Sequence, residues 1–156
     1  MAATKGVNSY VTLAEANAYF DNKLDVAAWT DASDLQKEQA LVTSTKYLDT
    51  LSWVGQVRSE SQVLAFPRDG EYFDATRGVS VTFTTSVPQR ITDAVCELAY
   101  HLLNNDGLLD DVGSVKSVSV GSISIDVIQS PGKLPGIVYS LIKPLRTSGR
   151  AVWRAW

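Results

Sequence analysis

Arg146, Arg150, Trp153, Arg154 and Trp156 crowd the last eleven residues, and no acid stands among them. A guanidinium presents a planar fork of donors to carboxylates or phosphates, and an indole presents a wide apolar face with one N–H. Two recognition chemistries use such a set. One is docking on another protein, where Arg and Trp supply the dominant contacts. The other is single-strand binding, in which aromatic rings stack on bases beside a basic groove. Pro144 and Ser148-Gly149 interrupt regular structure here. Residues 146–156 therefore read as a docking arm on a domain of residues 1–145. A tail folded back on its own core would use the same residues, and the sequence favours the arm.

Other reactive types are sparse. His101 is the one histidine and Cys96 the one cysteine. Five residues apart on a helix, they point to different faces and form no nucleophile–base pair. Both are expected to be structural. Asp106, Asp110 and Asp111 cluster, but not at the alternating spacing of a calcium loop. No glycine-rich phosphate loop occurs. The sequence thus predicts no catalytic residue, no metal and no cofactor.

Charge chooses between the two chemistries. All seventeen acids lie at or before Asp126, against nine of the fourteen bases, so residues 1–126 carry −8. Residues 127–156 carry Lys133, Lys143 and the three arm arginines, or +5. Trp53, Arg58, Phe66, Arg68, Tyr72 and Phe73 add stacking and basic groups to the body. An acidic body nevertheless opposes phosphate, and a protein-docking arm meets no such conflict. A chain of 156 residues suits one domain able to bury a core without disulfides. A single cysteine fits a reducing compartment. Residues 1–6 hold no apolar run and predict no secretory leader. No segment is apolar for long enough to predict a membrane partner.

The elements that must position these groups can be read in order. Thr12 and Glu15 form a capping box for a first helix over about 13–22, and Ser33 with Gln36 for a second over 34–51. Leu35, Leu41, Val42, Thr45, Leu48 and Leu51 recur at helical spacing in the second. Between the two, Ala27–Thr30 reads as a connector anchored by Trp29. Residues 52–87 read as a long irregular excursion with a turn at Pro67–Gly70 and a short strand at Val79–Phe83. Pro88 opens a third helix. Ile91, Ala94, Val95, Leu98, Ala99, Leu102 and Leu103 give it a continuous apolar stripe, which marks it as the central core helix. Residues 115–128 alternate around Gly121-Ser122, predicting a long hairpin with Val120 opposite Ile123 and Val118 opposite Ile125. That apolar face must rest on helices or on a neighbouring subunit. Ile137, Val138, Leu141, Ile142 and Leu145 predict a last helix. The fold class is α+β and mainly helical: about four helices in a small bundle, one hairpin and an extended arm.

The order Asn8-Ser9-Tyr10-Val11-Thr12-Leu13-Ala14-Glu15-Ala16-Asn17-Ala18-Tyr19-Phe20, Trp29, Tyr47-Leu48-Asp49, Trp53-Val54-Gly55, Leu64-Ala65-Phe66-Pro67-Arg68, Val87-Pro88 and Glu97-Leu98-Ala99 resembles a group of small tailed-phage proteins. These are labelled DnaT-like single-stranded-DNA-binding proteins. The pattern is also similar to phage head–tail connector (adaptor) proteins, with a helical core, a hairpin after the third helix and a late helix. The resemblance spans about residues 8–145 and contains no catalytic motif. The connector likeness implies a structural virion protein at the neck, made in the host cytoplasm. It would form a homo-oligomeric ring, commonly a dodecamer, docked on the portal protein and meeting tail or neck proteins. DNA would pass through the channel without sequence-specific binding. Portal docking would then fall to Arg146, Arg150, Trp153, Arg154 and Trp156, and subunit or tail contact to Val118, Val120, Ile123 and Ile125. The DnaT-like likeness implies the alternative, an accessory protein that binds single-stranded DNA.

Overall fold

The computed structural model describes residues 2–105 and 134–147, and the backbone of strands 117–120 and 123–126. Both predicted capping boxes form. Glu15 N donates to Thr12 Oγ1 at 3.2 Å and Thr12 N to Glu15 Oε2 at 2.9 Å, starting α1 (Leu13–Asp21). Gln36 N donates to Ser33 Oγ and Ser33 N to Gln36 Oε1, starting α3 (Asp34–Asp49). Between them, the expected connector is itself a single helical turn, α2 (Ala27–Thr30). It lays Trp29 on Phe20 with ring centroids 4.3 Å apart, and Trp29 Nε1 donates to Asn17.

The central helix is α4 (Gln89–Asn104), and its predicted stripe is buried from Ile91 to Leu102. It packs against α1, α2, α3 and α5 (Gly136–Ile142), so the core surrounds it. A short 3-10 turn, Lys143–Leu145, follows α5. Two apolar assignments change. Leu35 is 54% exposed and Ile137 is 53% exposed, because each lies in the first turn of its helix, off the face that meets α4.

The stretch 52–87 is more regular than its sequence suggests. Antiparallel pairs join β1 (Gln56–Val57) to β2 (Arg68–Asp69), and β3 (Glu71–Asp74) to β4 (Val79–Thr82). Gly55 and Gly70 let the first pair close, with φ of 78° and 127°. A Cβ at Gly55 would lie 2.2 Å from Asp69 O. The expected hairpin is present as β5 (Ser117–Val120) and β6 (Ile123–Asp126). Its register pairs Val118 with Ile125 and Val120 with Ile123, as the alternation predicts. Among the described residues these strands pair with each other and with no further strand.

Candidate nucleic-acid interface

Most residues that carry the sequence likeness turn out to lock the fold. Tyr10 is buried and its hydroxyl donates to Asp49, while Phe66 N donates to Tyr10 Oη and Ala65 N to Asp49 Oδ1. Burial, reinforced by Asp49, holds the Tyr10 hydroxyl protonated well above its usual range. Arg68 reaches backbone carbonyls from two segments: Nε to Val54 O at 2.9 Å, Nη1 to Ala65 O at 3.1 Å and Nη2 to Gly55 O at 2.6 Å. Glu97, 7% exposed, accepts from Tyr19 Oη and from Lys23 Nζ at 2.5 Å. Burial, then Glu97, pushes the Tyr19 hydroxyl upward.

These locks remove several groups from the list of DNA contacts. Trp53 and Phe66 are core residues, 5.2 Å apart edge to face. Arg68 is bound to carbonyls, and Arg58 pairs with Asp69 at 3.0 Å. Tyr72 stays half-buried and Phe73 is 60% exposed.

Tyr72 lines a cleft of about 290 Å³ between the β3–β4 hairpin and the start of α4. Phe83 backs it, with its ring 5.3 Å from that of Tyr72, and Arg77 and Arg90 stand at its rim. Arg90 Nη2 donates to Asp74 Oδ2 at 2.9 Å and to Thr76 Oγ1 at 2.8 Å. Thr76 and then Arg90 hold the Asp74 carboxyl down at about 2. Arg77 has no carboxylate partner among the described residues. Pro88 starts α4 without a side-chain cap, no acid lies in the first turn, and Pro88, Gln89 and Arg90 line the same cleft. Aromatic surface, the Arg77 guanidinium, an Arg90 held by Asp74 and an open helix start make a short place for one nucleotide phosphate and an adjoining base.

Across Gln89 lies a second cleft of about 330 Å³. Its apolar lining is Val11, Val87, Cys96 and the Tyr19 ring, and its polar lining includes Lys5, Glu15 and Asp93. Burial, with Asp93 adding, pushes the Cys96 thiol up to about 12 and keeps it neutral. The Lys5 ammonium, 2.6 Å away, holds the Glu15 carboxyl below its usual range. Sequence reasoning missed both clefts.

The arm enters the described structure only at its root. Arg146 pairs with Trp53 in an isolated antiparallel bridge, flanked by Val54 N to Leu145 O at 2.9 Å and Thr147 N to Ser52 O at 3.3 Å. Arg146 Nε and Trp53 Nε1 are both buried without a hydrogen-bond partner among the described residues. Arg150, Trp153, Arg154 and Trp156 lie outside the described residues, as do Asp106, Asp110 and Asp111; for Val118, Val120, Ile123 and Ile125 only the backbone is described. His101 sits on α4 against Asn105. Among the described residues no group of three His, Cys, Asp or Glu could hold a metal, and no helix is long and apolar enough to cross a membrane.

The family described as "Putative DnaT-like ssDNA binding protein" matches residues 2–150. The chain belongs to this DnaT-like family. Comparison with curated proteins and with solved structures finds no match. The family match spans the Tyr10–Asp49 and Arg68 locks, both clefts and the root of the arm.

Proposed function

We propose that this protein binds single-stranded DNA over a short footprint, as an accessory protein, through the cleft of Tyr72, Arg77, Phe83 and Arg90. The observation that carries this reading is the convergence of an aromatic wall, two guanidiniums and an open helix start at one place, in a chain of the DnaT-like family. The footprint is short because Lys5, Lys23, Lys37 and Arg58 are engaged by carboxylates elsewhere and Arg90 is engaged by Asp74 within the cleft, which leaves Arg77 as its one guanidinium without a carboxylate partner among the described residues. One phosphate contact, at Arg77, implies a salt slope of about −0.7 for a single strand. Affinity should therefore fall roughly threefold between 50 and 200 mM salt. Anisotropy titration of labelled 12-mers tests this, with Arg77→Ala flattening the slope. Absence of binding at 50 mM salt, or a slope unchanged in Arg77→Ala, overturns the reading.

A second reading is a head–tail connector subunit that docks on a portal ring. Two observations favour it: the −8 charge of residues 1–126, suited to a channel in which DNA slides, and the β5–β6 hairpin that follows the central helix. Removal of residues 146–156 should then abolish association with portal rings, and electron microscopy of virions should find the protein at the neck. Docking at full strength without those residues counts against it.

A further inference from the structure

The second cleft, on the other side of Gln89, has a composition the phosphate site lacks. Its floor is apolar and neutral, from Val11, Val87 and Cys96. Its polar lining carries two carboxylates, Glu15 and Asp93, against one cation, Lys5, whereas in the first cleft the Asp74 carboxylate stands beside two guanidiniums, so the second cleft is the less favourable of the two for phosphate. An apolar floor with acceptors at the edge suits a flat, uncharged ring bearing N–H donors. Asp93 Oδ1 accepts from Gln89 Nε2 at 2.8 Å, while Oδ2 accepts no hydrogen bond among the described residues. Glu15 is already engaged by Lys5 and by Thr12 N, which leaves Asp93 as the acceptor at hand. Gln89 lines both clefts, so the two adjoin at that residue.

We propose that this second cleft is a nucleobase pocket in which Asp93 reads an exocyclic amine, so that the protein prefers cytosine or adenine over thymine. The inference rests on the single-strand reading, with the phosphate at Arg77 and the adjoining base turned across Gln89. A carboxylate accepts from cytosine N4 or adenine N6, whereas thymine offers a carbonyl oxygen at the corresponding place and is repelled. One such charged hydrogen bond gives about tenfold discrimination. Asp93→Asn changes the answer in a defined way, because an amide donates to thymine O4 as well as accepting from an amine.

The test is anisotropy titration of labelled 12-mers of dC, dA and dT with the full chain and with Asp93→Asn. Circular dichroism checks that the variant is folded, and Glu60→Gln, an exposed change outside the lining of both clefts that removes the same charge, serves as the charge control. The wild type should bind dC and dA about tenfold tighter than dT. Asp93→Asn should narrow that gap to within about threefold, chiefly by tightening dT, while Glu60→Gln leaves it unchanged. Equal binding of dT and dC by the wild type overturns the base pocket and leaves the single-strand reading standing. A gap that survives in Asp93→Asn removes Asp93 as the reader. Absence of binding to all three strands overturns both.

Discussion

Arg68→Met separates the cations that hold this fold from those that could meet a ligand. The substitution keeps an apolar stem and deletes the guanidinium. Three well-formed hydrogen bonds disappear, to Val54 O, Ala65 O and Gly55 O. The fourth, to Trp53 O at 3.4 Å, is too long to matter much. A bond from a charged donor can contribute more than a neutral one, but this arginine is partly exposed and water replaces some of what is lost. At about 1 kcal/mol each, the loss is about 3 kcal/mol. For a chain of this size that lowers the melting temperature by roughly 6–12 °C. Urea unfolding followed by tryptophan fluorescence measures it, with Trp53 adjoining the clamp. The midpoint should fall at unchanged m-value. Arg68→Lys should recover only part, since an ammonium cannot span carbonyls of two segments. Arg77→Ala, by contrast, should stay within about 0.5 kcal/mol of wild type. A loss below about 1 kcal/mol in Arg68→Met refutes the reasoning, because those carbonyls would then be satisfied equally well by water.

Gly55→Ala should destabilise by more than about 2 kcal/mol, since it meets both a positive φ and a backbone oxygen 2.2 Å from the new carbon; thermal unfolding reads it. Lys23→Met should cost roughly 2–3 kcal/mol by leaving Glu97 buried with only Tyr19, against about 1 for Tyr19→Phe; denaturant titration ranks the two, and the reverse order would sink the assignment. The Asp74 carboxyl titrates at about 2 when folded, below its usual 3.8. Its contribution is therefore complete above about pH 4 and is lost as pH falls through 2. Asp74→Asn should flatten the stability profile in that window, as followed by circular dichroism.

Local chemistry was legible in the sequence. Both capping boxes need only residues three apart, and both form. The α4 stripe and the β5–β6 register follow from periodicity alone. The pairs β1–β2 and β3–β4 were not legible as sheets, because their closure depends on distant residues: Gly55 against Asp69 and Gly70, and Arg68 reaching back to carbonyls of 54 and 55. For the same reason Arg68 and Phe66 resembled nucleic-acid contacts. A sequence shows a guanidinium but not its acceptors. The clefts were hidden likewise, since Tyr72, Arg77, Phe83 and Arg90 converge only once the hairpin lies against the start of α4, and Asp93 meets Val11 and Glu15 only once α4 lies beside the start of α1. One signal was present throughout: Pro88 followed by a first turn with no acid.

The rings of Tyr10, Phe66, Phe83 and Tyr72 form a continuous series, each about 5–6 Å from the next. One end is anchored at the Tyr10–Asp49 bond in the core and the other forms the wall of the first cleft. That wall is preorganised: its rotamer is fixed before any ligand arrives, so little side-chain entropy is left to lose on binding. Association there should resemble a key entering a rigid lock, and affinity should respond to changes at Phe66, a residue no ligand touches.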